Sequence, residues 1–134
     1  MAMESASTEL RYLLYVILLG LLVWIPYILA EIATNGIARA FSYPDERNRP
    51  LWAQRLAKAH QNLLENTVPF AAIVLAGEAM NVHTPVTAAC AMVFFWARVA
   101  HPFTQITRIW GARTLAFGAG YGATLVYLLT LLGA

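Results

Sequence analysis

The chain has 134 residues, 60% hydrophobic and 12% charged, with a formal net charge of +2. A water-soluble domain of this size needs far more charge to cover its surface, so the composition excludes one and points to the membrane. The basic residues form no block, which removes nucleic acid from the partners the sequence supports.

At this length a single domain over residues 1–134 is expected. The start, "MAMESASTELR", carries acids where a secretion signal would be basic. The apolar run after it is longer than a signal's core, so the expectation is a retained first helix. That helix is predicted from Leu10 to Ala33, with a kink at Pro26. A charged, turn-rich link, "ARAFSYPDERNRP", leads to a second helix from Leu51 to Met80. The short "NVHT" makes the second and third helices an antiparallel hairpin. The third helix runs from Pro85 to Thr104, with Thr84 as N-cap and proline at the first helical position. After the basic link "QITRIWG", a fourth helix runs from Ala112 to Leu132. Each is long enough for a hydrocarbon core that takes roughly 20 helical residues to cross. The predicted fold is an all-α integral membrane protein, a four-transmembrane-helix bundle.

Arg39, Arg47 and Arg49 sit in the first link, with Arg55 and Lys58 just beyond it. Arg98, Arg108 and Arg113 surround the third link, whereas the second has no lysine or arginine. The positive-inside rule puts the first and third links in the cytoplasm and both termini outside it.

The second helix opens with "RLAKAHQNLLENTVPF", a run too polar for an ordinary membrane segment. Positions 55, 58, 62, 65 and 69 alternate in steps of three and four, and fall within a sector of roughly 80°. Arg55, Lys58, Asn62 and Glu65 therefore share one face, with Leu56, Leu63 and Leu64 off it. A charge at the membrane centre costs about 2.5–3.5 kcal/mol on insertion scales, so such a face needs protein or water against it. The third helix repeats the pattern with Arg98, His101, Gln105 and Arg108, provided that it continues past Pro102. Two readings follow. One is an interhelical clamp of ion pairs and amide hydrogen bonds. The other is a pocket for a small, multiply charged anion that also carries an amine, its carboxylates on arginine and lysine and its ammonium on Glu65.

Other features weigh less. His60 points away from the stripe and His83 lies in a link. The three histidines have no metal-ligand spacing, so no metal site is expected. Glu31 is a partner for a basic residue or an interfacial group, and Glu78 is expected to be solvated. Gly118 and Gly122, at GxxxG spacing, predict close helix packing. Cys90, alone in an apolar run, is expected to be a buried small hydrophobe that forms no disulfide.

The run "RLAKAHQNLLENTVPF" resembles the second-helix signature of the MAPEG family, the membrane-associated proteins in eicosanoid and glutathione metabolism. "ARVAHPF" and "ARTLAFGAG" resemble its third- and fourth-helix signatures, and the resemblance covers nearly the whole chain. It implies a homotrimer of four-helix bundles, with glutathione as co-substrate between neighbouring subunits near the cytoplasmic side. It also implies that Asn62 and Glu65 bind glutathione, together with Arg55 and Lys58, the latter where relatives often carry arginine. Arg98, His101 and Gln105 fall in the third-helix part of that site, which Arg108 joins by the spacing of the stripe. Arg113 is implied as the stabiliser of the thiolate, with Thr114 beside it. Three departures stand out. Gln105 replaces a tyrosine of several catalytic members. The link to the fourth helix is about one residue shorter. Asn35 stands about where some relatives have an arginine.

The implied activity is a glutathione transferase or peroxidase acting on lipophilic electrophiles or lipid hydroperoxides, in a bacterial inner membrane or the endoplasmic reticulum. The alternatives are a non-catalytic lipid-binding member resembling the 5-lipoxygenase-activating protein, and a small transporter or structural subunit.

Overall fold

The computed structural model describes residues 5–42 and 48–134, so Arg47 lies outside the described residues. The elements are α1 (Thr8–Asn35), α2 (Ile37–Ala40), α3 (Leu51–Ala79), α4 (Pro85–Thr107) and α5 (Ala112–Leu132). The four long ones correspond to the four predicted helices. α1, α4 and α5 are long and apolar enough to cross a membrane. α3 matches them in length but not in apolar character, because its polar stripe lowers its hydropathy.

Local chemistry sets the ends. Ser7 caps α1 by accepting from the Leu10 N–H at 3.1 Å. Gly36, at φ 83°, ends it in a backbone conformation that side chains resist. The single turn α2 was not expected; it forms after that glycine where the sequence had read as link. Thr84 caps α4, and Thr87 returns a bond to it, closing a capping box beside Pro85. α4 continues through Pro102 and ends three residues later than predicted, at Thr107. Arg108 then takes a left-handed conformation, φ 57°, and Gly111 one at φ 74°, so four residues suffice to turn the chain into α5.

α4 packs most closely on α5, and α1 lies against α3 and α4. Leu13, Val16, Leu63, Phe70, Val74, Phe94, Ala123 and Tyr127 form the centre of the core. Phe70 and Phe94 stack across the α3–α4 hairpin, with centroids 3.8 Å apart and planes 6° off parallel. Cys90 is buried as expected.

Several minor expectations change. Gly118 and Gly122 face open space within the chain; the glycines that permit close approach are Gly77, against Tyr127, and Gly120, against Arg98. The helical phase of α5 turns Gly118 and Gly122, four residues apart, away from α4 and Gly120, midway between them, toward it. Glu78 is not simply solvated: it is half-buried and accepts a hydrogen bond from Ser7. His83 lies 3.8 Å from Glu9 and 3.9 Å from Glu78. His60 shares a 2.8 Å hydrogen bond with the Tyr27 hydroxyl. Glu31 has the basic partner foreseen for it: Arg49 Nε donates to its carboxylate at 2.6 Å. Asn35 Nδ2 donates to the Asn48 carbonyl at 2.6 Å, which ties the end of α1 to the approach to α3.

Candidate functional site

The start of α3, the end of α4 and the start of α5 meet at one end of the bundle. Because α3 and α4 run antiparallel, the late positions of one stripe face the early positions of the other. Between them and α5 lies an open cleft of about 890 Å³. Its polar lining includes Arg55, Lys58, Gln105, Arg108, Arg113 and Thr114, and its apolar rim is Leu51, Ile109, Trp110 and Leu115. A second cavity of about 350 Å³ lies deeper, lined by Lys58, Asn62, His101, Gln105, Arg113, Thr114 and Phe117. Lys58, Gln105, Arg113 and Thr114 line both, which joins them into an outer and an inner lobe.

The electrostatics are one-sided. Among the described residues, four cations line the lobes and no acidic residue does. Among the described residues none of the four forms an ion pair. Arg55 makes one hydrogen bond, from NH1 to the Ile106 carbonyl at 3.3 Å. Four cations converging without a carboxylate repel one another, and an anion entering the cleft relieves that repulsion. Trp110, almost fully exposed, stands at the rim.

The two stripes are only partly united. Lys58, Asn62, His101, Gln105 and Arg113 are brought to the inner lobe, and Arg55 and Arg108 to the outer one. Arg108 gets there as the left-handed cap beyond α4, not as part of the helical face. Arg98 lies behind the inner lobe, buried, and its NH1 donates to Asn62 Oδ1 at 2.9 Å. Glu65 lines neither lobe. It is exposed on α3, where it accepts a 3.0 Å hydrogen bond from Gln61 Nε2. One element of the clamp reading is thus present, the Asn62–Arg98 bond, while an ion pair to Glu65 is absent among the described residues.

Sequence reasoning did not find Gln54, Thr104 and Phe117 in the lining. Spacing could have found them: Gln54 precedes Lys58 by four, Thr104 follows His101 by three, and Phe117 follows Arg113 by four. Gly120 had no such signal, because its contact with Arg98 depends on the register between α4 and α5.

The family model of the MAPEG family matches residues 12–133. The chain belongs to the MAPEG family. No curated protein and no solved structure matches it at a significant level. Family membership and three apolar helices make it an integral membrane protein of the group associated with eicosanoid and glutathione metabolism, which holds both enzymes and non-enzymatic members.

Proposed function

We propose that this MAPEG protein is a membrane-bound, glutathione-dependent transferase or peroxidase that activates the glutathione thiolate against lipophilic electrophiles. The observation that carries the proposal is the pair of lobes lined by cations, with no acid among the described residues. Glutathione brings two carboxylates, an amine and a thiol. Arg55, Lys58 and Arg108 offer charge-assisted bonds to carboxylates. Arg113, shared by both lobes with Thr114 beside it, is the group proposed to favour the thiolate. A positive charge within about 4–6 Å lowers an acid's pKa by one to three units. The thiol proton leaves to water. The sulfur lone pair then attacks the electrophilic carbon, and the leaving group departs with its electron pair. With a hydroperoxide the sulfur attacks the terminal oxygen instead, the O–O bond breaks and the alkoxide leaves as the alcohol with a proton from water; a second glutathione thiol then reduces the resulting sulfenic acid, giving glutathione disulfide and water. Apolar electrophiles concentrate in the bilayer, and the apolar rim of the outer lobe gives them a route to the cleft.

Three copies are proposed to assemble with α3 toward the neighbours. Glu65, Leu64 and Val68 are exposed in the single chain. A carboxylate at membrane depth needs cover, and a neighbouring subunit supplies it. In the assembly Glu65 is the proposed partner of the ligand's ammonium. α3 is proposed as the fourth span, with the cleft on the cytoplasmic side and both termini outside.

A lipid-binding, non-catalytic role is the second reading, favoured by the apolar rim and by Gln105 where several catalytic members carry tyrosine. Isothermal titration of the detergent-solubilised protein with glutathione and with S-methyl glutathione separates the two. Saturable binding of both, weakened by salt, is expected. Absence of binding to either would leave the lipid-binding reading in place.

A further inference from the structure

Arg98 is 1% exposed, one of the most completely buried large side chains in the chain. Its guanidinium lies over the rings of Phe94 and Phe117, with centroids at 5.0 and 5.7 Å. NH1 donates to Asn62 Oδ1, while Nε and NH2 have no hydrogen-bond partner among the described residues. Among the described residues no carboxylate pairs with it. Gly120 makes the room. A Cβ there would stand 2.3 Å from NH2 and 2.9 Å from Cζ and Nε, and the two rings leave the guanidinium little freedom to retreat.

Arginine stays charged in proteins. Burying that charge with one hydrogen bond and no counter-ion is unfavourable, and an apolar side chain of similar volume is often neutral or better for stability. What an apolar side chain could not do is fix Asn62. An asparagine amide can exchange its oxygen and nitrogen by a half-turn at almost no change in shape, but a guanidinium only donates, so it selects the carbonyl oxygen. Nδ2 is then the amide's remaining polar group, and it makes no hydrogen bond among the described residues. Asn62 lines the inner lobe.

We infer that Arg98 is a positioning residue: seated in the space left by Gly120, it locks the Asn62 amide so that the inner lobe receives N–H donors. The inner lobe therefore takes a hydrogen-bond acceptor, a carboxylate or peptide carbonyl of the ligand, and Asn62 does not serve its ammonium. This rests on the proposal that the ligand is glutathione.

The test pairs glutathione titration with thermal unfolding in the same detergent. Arg98→Met should bind glutathione roughly tenfold more weakly, the scale of one hydrogen bond to a lost donor, while unfolding no earlier than wild type. Asn62→Asp should unfold later, because it gives Arg98 a carboxylate, yet bind glutathione at least as poorly as Arg98→Met. Gly120→Ala should weaken binding alone and add no further loss to Arg98→Met, the non-additivity expected of groups acting as one unit. If wild type binds and Arg98→Met binds equally well, the positioning role is overturned. If Arg98→Met loses binding only in proportion to lost stability, Arg98 is structural and the role is again overturned. If wild type itself fails to bind glutathione, both this inference and the proposed function fall.

Discussion

Where α1 begins and α3 meets α4, Ser7, Glu9, Glu78, His83 and Thr84 line a pocket of about 520 Å³, and the buried Thr87 bonds to Glu9. There each carboxylate has a donor. The Ser7 hydroxyl donates to Glu78, the Thr87 hydroxyl donates to the buried Glu9, and His83 lies between the two acids. The same serine and threonines cap α1 and α4. At the other end of the long helices, Arg55, Lys58, Arg108 and Arg113 converge and Arg98 is buried behind them; among the described residues no acid joins the four, and two nitrogens of Arg98 have no partner. Both ends place charge in a mostly apolar chain. One end satisfies it internally and staples helices together; the other pairs Arg49 with Glu31 but leaves the four cations of the cleft open. Polar groups that hold a fold find partners within it, whereas polar groups kept without partners at a cleft are available to a ligand.

That contrast can be broken by removing charge at either end. Replacing Arg55 and Lys58 together by glutamine should reduce glutathione affinity a hundredfold or more, since each charge-assisted bond is worth about 1.5–3 kcal/mol. The melting temperature should hold, because among the described residues neither has an ion pair to lose. A collapse in stability with affinity intact would make the cleft end structural like the other. Conversely, Thr87→Val removes half of the capping box and the donor to a buried carboxylate. It should cost about 3 kcal/mol of stability in thermal or denaturant unfolding. Glutathione affinity should not change; a loss there would mean that the two ends are coupled. The comparison is sharpened by Glu65, which belongs to neither end within one chain. Glu65→Gln should weaken glutathione binding about tenfold with the trimer intact by native mass spectrometry. A trimer that dissociates with its residual binding unchanged would assign Glu65 to assembly alone.

Much of this was legible in the sequence because helical geometry is local. The four long helices, the Thr84 cap and the run through Pro102 follow from periodicity and end signals that act within one turn. The stripes at Arg55, Lys58 and Asn62 and at His101 and Gln105 follow from steps of three and four. What was not legible depends on how helices meet. The GxxxG pair at Gly118 and Gly122 carries the signature of packing, yet the glycine of α5 that another helix approaches is Gly120, midway between them. Arg98 shares a helical face with His101, but its burial between Phe94 and Phe117 is set by α5. Glu65 shares a face with Asn62, but one turn further along the helix carries it past the cleft.

The central claim is that the unpaired cations of the cleft, Arg113 above all, bind glutathione as its thiolate. Following thiolate absorbance in the ultraviolet across pH, for wild type and Arg113→Leu saturated with glutathione, tests it directly. A free cysteine thiol ionises near pH 8.5, and the wild-type complex is expected to ionise about one to three units lower. Arg113→Leu should still bind but lose most of that shift. If both complexes ionise at the same pH as free glutathione, Arg113 does not stabilise the thiolate and the catalytic account is contradicted.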